Sequence, residues 1–344
     1  MRSVIPTRSS RAPSGLQTAA ILGLAGLAAS LLYVQSKQRS VERDHPPQGK
    51  FIEVDGVRLH YMEQGQGPAL VLLHGNGLMS NDFNLSGLQG SAARPYRVIA
   101  FDRPGFGHSD RPDNLKWTPE EQAQLFYKAL HQMGVERPIV LGHSWGTLVA
   151  LAMALEYPKY VRAITLMSGY YYPSPRLEVP FLAAPAIPGI GYLLRHTIAP
   201  LLGRLLWPRL VKRTFAPAPV PERFGEFPKW MMLRPSQLGA SAAEMAMMVP
   251  AATRLSPRYR ELTLPIAIIA GSGDKIVNTD HNALRLHEEI QHSDLLLDTD
   301  AGHMPHYAAP ARVMEAVERL EASLTPGGVN LRHAAAIHSS ATLH

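Results

Sequence analysis

The sequence predicts an α/β fold: a doubly wound, mostly parallel sheet with an inserted helical cap, preceded by a hydrophobic helix. Three observations predict it. Short continuous apolar runs such as Ala69–Leu73 and Pro265–Ala270 recur along the chain, as strands buried on both faces require. Helical patterns alternate with those runs. The alternation breaks once, between Tyr170 and Glu261, where 14 of the 29 prolines lie, a density that favours short kinked helices over strands. A chain of 344 residues has room for such an insertion, since one domain takes about 150 residues.

The first element is Leu16–Val34, a run of 19 residues without a charge. As a helix it spans about 28 Å, close to the roughly 30 Å of a bilayer's hydrocarbon. Arg2, Arg8 and Arg11 precede it, and Lys37, Arg39 and Arg43 follow. Charge at both ends leaves the orientation open, and Tyr33 sits where an interfacial aromatic belongs. The expectation is a membrane protein with a single-pass anchor over 16–34. The rival is a signal peptide cut near Val34-Gln35-Ser36, which would release an exported enzyme. Residues 1–15 read as a basic segment and 35–49, with Pro46-Pro47, as a linker.

The core is expected over 50–169 and 263–325. It opens with a hairpin: Lys50–Val54 and Val57–Gln64 alternate and meet at Asp55-Gly56. Apolar strands follow at Ala69–Leu73, Tyr96–Phe101, Pro138–Leu141, Val161–Met167 and Pro265–Ala270, with a last at Ser293–Leu297. Helices are expected over Pro119–Met133, Trp145–Glu156, His281–Ile290 and Ala311–Leu324. The cap takes 170–262, and 326–344 reads as a flexible tail.

Within the cap, Met231, Met232, Met245, Met247 and Met248 supply adaptable apolar walls, most of them packed against the core. Tyr192–Phe215 mixes leucines with Arg195, Arg204, Arg209, Lys212 and Arg213. Its periodicity breaks at Pro200 and Pro208, so no clean amphipathic face is expected there. Its composition is nevertheless that of a membrane-surface element.

The chemistry centres on Gly142-His143-Ser144-Trp145-Gly146, which follows an apolar strand and opens a helix. A tight strand-to-helix turn projects the Ser144 hydroxyl above the sheet. Glycines flank it because a Cβ there would collide with strand or helix. A serine hydroxyl needs a base, and the base needs an acid to orient it. His303, just after the last strand, is the base, with His306 as a supporting or merely exposed neighbour. Asp274, in Gly271-Ser272-Gly273-Asp274-Lys275 at a strand's C-terminal end, is the acid. Asp298 and Asp300 are the substitutes, each better suited to capping its loop. An oxyanion hole needs two backbone donors. The amides of Trp145 and of Asn76, in His74-Gly75-Asn76-Gly77, are assigned to it.

These motifs, with Asp102-Arg103-Pro104-Gly105-Phe106-Gly107-His108-Ser109, make residues 50–325 resemble the α/β-hydrolase superfamily. The resemblance is to its lidded branch of epoxide hydrolases, haloalkane dehalogenases, cofactor-free haloperoxidases and carboxylesterases. It implies hydrolysis without a cofactor or metal. Epoxide hydrolases and haloalkane dehalogenases use an Asp nucleophile; Ser144 in its place would leave an ether that water does not readily cleave. Asn76 and Trp145 match halide-binding positions, a likeness read as shared ancestry. The expected function is therefore cleavage of a small-molecule, lipophilic carboxylic ester through Ser144, His303 and Asp274. The alternatives are a C–C bond hydrolase or perhydrolase with the same triad, and a silent hydrolase-fold binding protein.

Composition narrows the field further. The chain has no cysteine, which excludes thiol catalysis, disulfides and cysteine-ligated metals. Its net charge of +6 is concentrated in two segments: residues 1–50 carry 7 Lys/Arg against 2 Asp/Glu, and 170–262 carry 12 against 5. No nucleic-acid motif accompanies them, so no nucleic-acid partner is expected. An anionic membrane surface near the N-terminal helix and the cap, an acidic substrate, or an ordinary solvated charged surface each accounts for both.

Overall fold

A computed structural model describes residues 15–324. The basic segment expected at 1–15, apart from Gly15, and the tail expected at 326–344 lie outside the described residues.

Helix α1, Gly15–Asp44, leads into strands β1 (Lys50–Val54) and β2 (Val57–Gln64). They form the expected hairpin, with Val54 paired to Val57 across Asp55-Gly56. Strand β3 (Ala69–Leu73) is followed by the short helices α2 (Asn81–Leu85) and α3 (Leu88–Ala92). Strand β4 (Arg97–Phe101), helix α4 (Pro119–Gln132) and strand β5 (Ile139–His143) come next. Thr118 starts α4 as a capping box: its hydroxyl accepts the Glu121 N–H at 3.3 Å and the Glu121 carboxylate accepts the Thr118 N–H at 3.1 Å. Helix α5 (Trp145–Glu156) and strand β6 (Ala163–Met167) complete the first half.

The insertion then supplies α6 (Val179–Ala183), α7 (Ile190–His196), α8 (Ile198–Phe215), α9 (Lys229–Met232) and α10 (Pro235–Leu255). Strand β7 (Ile266–Gly271), helix α11 (Arg285–Glu289), strand β8 (Asp294–Asp298) and helices α12 (Pro305–Ala308) and α13 (Pro310–Ser323) close the described chain.

The eight strands form one sheet in the order β1-β2-β4-β3-β5-β6-β7-β8, antiparallel at β1–β2 and β2–β4 and parallel elsewhere. Leu70 and Leu72 pack on one face with Phe83, Leu88 and Val317; Val71 and Leu73 pack on the other with Phe126 and Leu148. Both faces are covered, which is why these strands read as unbroken apolar runs. A third apolar cluster joins Val41 of α1, Phe215, Phe224 and Met231 of the insertion, and Met304 and Tyr307 beside the last loop.

Three expectations need correction. The linker expected at 35–49 is helical as far as Asp44, because Val34 and Val41, two turns apart, are both buried on one side of α1. The break expected at Pro200 and Pro208 does not occur. Pro200 lies in the first turn of α8, where the missing N–H has no helical acceptor to lose. Pro208 stands on the exposed side of the helix, away from the packed core. The helix expected over His281–Ile290 starts as a π-turn, Asp280–Leu284, before becoming α11.

Candidate active site

The order of strands locates the site. From β3 the chain steps outward to β4 and then returns to place β5 on β3's other side, so connections diverge between β3 and β5. The crevice above such a switch point, at the strands' C-terminal ends, is where doubly wound sheets gather functional groups. Leu73 pairs with Gly142, so the segments that follow, His74–Gly77 and His143–Gly146, lie side by side.

Ser144 makes the turn from β5 into α5 with φ 51° and ψ −117°, a left-handed strain in a non-glycine residue. Its N–H donates to the Met167 carbonyl at 2.8 Å, and its carbonyl accepts from the Thr147 N–H at 3.0 Å. The flanking glycines are obligatory here. A Cβ on Gly142 would stand 2.4 Å from the Gly146 carbonyl oxygen, and one on Gly146 would stand 2.2 Å from that of Leu73.

His303 Nε2 lies 2.9 Å from Ser144 Oγ, and His303 Nδ1 lies 2.8 Å from Asp274 Oδ2. Asp274 Oδ1 accepts the backbone N–H groups of Ile276 at 2.7 Å and Val277 at 3.0 Å. Burial alone would push the Asp274 carboxyl up; the His303 ring and those two N–H groups outweigh it and hold the carboxyl below its ordinary value. His303 is fixed from two further sides. Its N–H donates to the Thr214 carbonyl at 3.1 Å, and its carbonyl accepts from His143 Nε2 at 2.9 Å. Asp298 and Asp300 stand apart: Asp298 accepts from the Asp300 N–H and from Arg312, both at 3.0 Å.

Trp145 is the first residue of α5, where a backbone N–H has no intrahelical acceptor. Among the described residues, neither the Trp145 nor the Asn76 backbone N–H donates to a protein acceptor. The Asn76 side chain is committed elsewhere: its amide donates to the Ser241 carbonyl at 3.0 Å and to Glu244 Oε2 at 3.2 Å. His74 Nε2 accepts the Arg103 N–H at 2.9 Å and Nδ1 faces the Gly75 carbonyl at 2.8 Å. Burial, and then the Arg103 charge, push the His74 imidazole down to about 3, so the ring stays neutral and can accept that bond.

Sequence reasoning missed the residues behind this loop. Arg103 and Glu244 form a fully buried ion pair, with Nη2 3.0 Å from Oε2, and Arg103 Nε donates to the His74 carbonyl at 2.7 Å. Glu244 lies on α10, so the pair ties the insertion to the loop that carries Asn76. A signal was present: Glu244 is the sole acidic residue in Pro235–Leu255, and a carboxylate among small and apolar residues needs a partner. His306, expected to support the site or be exposed, is fully buried, with Nε2 2.8 Å from Asp82 Oδ2. Nothing in the sequence singled out Asp82, which lies 224 positions away from it.

Comparison with known proteins identifies the fold family. The alpha/beta hydrolase fold family matches residues 68–310. Haloalkane dehalogenase 2 of Mycobacterium tuberculosis is 27% identical over 135 residues, 39% of this chain and 46% of the dehalogenase. Bifunctional epoxide hydrolase 2 of Sus scrofa is 32% identical over 142 residues, 40% of this chain and 25% of that enzyme. The chain thus spans less than half the length of these curated relatives. Among solved structures, a membrane phospholipase A superposes with a TM-score of 0.62 at 20% identity, covering 90% of this chain and 97% of that one. With the family matched from the start of β3 to the start of α13, this chain belongs to the alpha/beta hydrolase fold family.

Proposed function

We propose that the protein is a membrane-anchored serine hydrolase that cleaves a carboxylic ester. The observation that carries this reading is the relay from Ser144 Oγ to His303 Nε2 at 2.9 Å and from His303 Nδ1 to Asp274 Oδ2 at 2.8 Å. Ser144 Oγ adds to the acyl carbonyl carbon as His303 Nε2 takes its proton. Asp274 holds the imidazole in the tautomer that can accept it. The N–H groups of Asn76 and Trp145 donate to the developing oxyanion. His303 then protonates the leaving alkoxide, and the resulting acyl-enzyme is split by a water that His303 deprotonates.

The engaged Asn76 side chain supports ester chemistry over dehalogenation. Both N–H groups of its amide are spent on Ser241 and Glu244, leaving none for a departing halide. The insertion serves as the cap over the site, tied to the oxyanion loop through Glu244. Helix α1 is the anchor: it is long and apolar enough to cross a membrane, and its most apolar stretch is not buried in the protein. The rival cleavage near Val34-Gln35-Ser36 is disfavoured because that segment is helical, with Val34 buried and Tyr33 edge-on to Trp230 at 6.0 Å.

The test is turnover of esters of graded acyl length by the full chain and by Ser144→Ala. The proposal expects ester turnover in the first and its loss in the second. A chain that cleaves a vinylogous diketone and no ester would instead be a C–C bond hydrolase.

A further inference from the structure

The insertion exposes an unusual amount of apolar surface. Leu177, Phe181 and Leu205 are 88%, 82% and 74% exposed, and Ile190, Leu201 and Leu202 are exposed as well. Exposed apolar surface on this scale marks a contact. Three observations identify what covers it.

The patch adjoins the anchor. Ser30 Oγ of α1 donates to the Thr197 carbonyl at the start of α8, at 2.8 Å. Gly23, Gly26 and Leu27 of α1 face Leu201, Leu202 and Leu205 across an open apolar groove. A bilayer that takes up α1 therefore reaches these leucines without any further approach.

The charges around the patch have one sign. Between Glu178 and Glu222 there is no acidic residue, and there are five basic ones: Arg195, Arg204, Arg209, Lys212 and Arg213. The exposed side of α8 carries Ile198, Leu201, Leu202, Leu205 and Leu206 with Arg204 among them, and becomes more basic over Arg209–Arg213, a mixture that suits the boundary between acyl chains and anionic headgroups. A second copy of this face would set those cations against one another.

An aromatic and cationic belt lies at the junction. Tyr33, at the end of the uncharged run, meets Trp230; Arg204 lies 5.7 Å above the Trp230 ring and Lys37 5.7 Å above Tyr33. Such residues mark the headgroup level.

We infer that the exposed face of α6–α8 is inserted in the same bilayer as α1, so that the insertion is a second membrane contact and the site above Ser144 draws its substrates from the bilayer. The substrate-delivery part rests on the proposed esterase reading; the insertion itself does not. Helix α8 joins the two places, since it carries the exposed leucines and ends on the Thr214 carbonyl that holds His303.

The absence of cysteine allows a direct test on the full chain. Single variants Phe181→Cys, Leu205→Cys and Glu136→Cys are labelled with an environment-sensitive fluorophore and reconstituted into phosphatidylcholine–phosphatidylglycerol vesicles. Glu136 is the control: it is exposed and precedes β5, at the end of the sheet away from Ser144. Labels at 181 and 205 should be blue-shifted, quenched by spin-labelled acyl chains and shielded from iodide, and the label at 136 the reverse. Equal iodide quenching at all three positions would overturn the inference. So would shielding that persists in detergent and grows with protein concentration, which would mean a second copy. The double variant Phe181→Glu/Leu205→Glu should lose at least tenfold in rate on a long-chain ester dissolved in vesicles and keep its rate on a water-soluble acetate ester. An equal loss on both esters would overturn delivery from the bilayer. If the unaltered chain cleaved neither ester, the esterase reading would fail while the labels still decided the insertion.

Discussion

In the proposed mechanism Ser144 bears the chemistry, and His303 and Asp274 serve to make its hydroxyl reactive. Its replacement by Ala should lower kcat for ester hydrolysis by on the order of 10⁴-fold or more, since triad members act as a unit. Retention of a tenth of the rate would assign the nucleophile elsewhere. Asp274→Asn should cost about 10³–10⁴-fold by leaving His303 in the wrong tautomer. Asp300→Asn should stay close to the parent rate, because Asp300 is exposed and its own N–H merely caps Asp298. Two further histidines set a pH dependence of stability. Burial holds His74 down to about 3 and, with the neighbouring His306 and His303 rings, His143 well below its ordinary value. The unfolded imidazoles take up protons near pH 6.5 that the folded ones refuse, so stability falls as pH drops below that value. Each steepens that fall until its folded value is reached. Melting temperatures at pH 7.5, 6 and 5 check this; a flat profile across that range contradicts it. At this scale Ser144, Asp274 and His303 were readable as candidates because each follows a strand, and the fold brings the three side chains together. Asp82, the partner of His306, was not, since only the folded chain brings together residues so far apart.

Among the elements, α10 and α1 hold the lessons. Helix α10 presses Glu244 onto Arg103 where no water reaches either side chain. Removing one member of such a pair strands the other charge, so Glu244→Ala should destabilise the fold by about 3–5 kcal/mol. Replacing both, as Arg103→Met/Glu244→Leu, should restore most of that, because the paired charges were costly to bury. Unfolding curves of the three chains decide it; a double variant no better than Glu244→Ala would sink the explanation. Strands and the hairpin were readable almost to the residue, since sheet burial writes itself as apolar runs. The end of α1 was not, because Val34 and Val41 form too narrow a stripe among Lys37, Arg39 and Arg43 to read as a packed helix. Helix α8 misled for the opposite reason. Its prolines looked like breaks, although the fold places one in the first turn and the other toward solvent.

At the scale of the molecule, a long apolar helix, a basic insertion and the crevice above the sheet follow one another through contacts already described: α1 on α8, α8 on His303, His303 on Ser144. The full chain should sediment with membranes and resist carbonate extraction, because the uncharged run of α1 satisfies its backbone as a helix only. Release by carbonate, or a mature terminus at Lys37, would replace the anchor with an exported soluble enzyme. The run of helices between β6 and β7 was visible in proline density; the route by which Glu244 reaches the loop that carries Asn76 required the fold.

The central claim is that ester cleavage passes through an acyl group on Ser144. The most direct measurement is rapid acid quench of the full chain during turnover of an activated ester, followed by mass spectrometry of its peptides. The account predicts one acyl increment, on the peptide containing Ser144, present in the parent and trapped in greater amount when His303→Ala slows deacylation more than acylation of so reactive an ester. Turnover with no acylated Ser144, or with the acyl group on another residue, would contradict it.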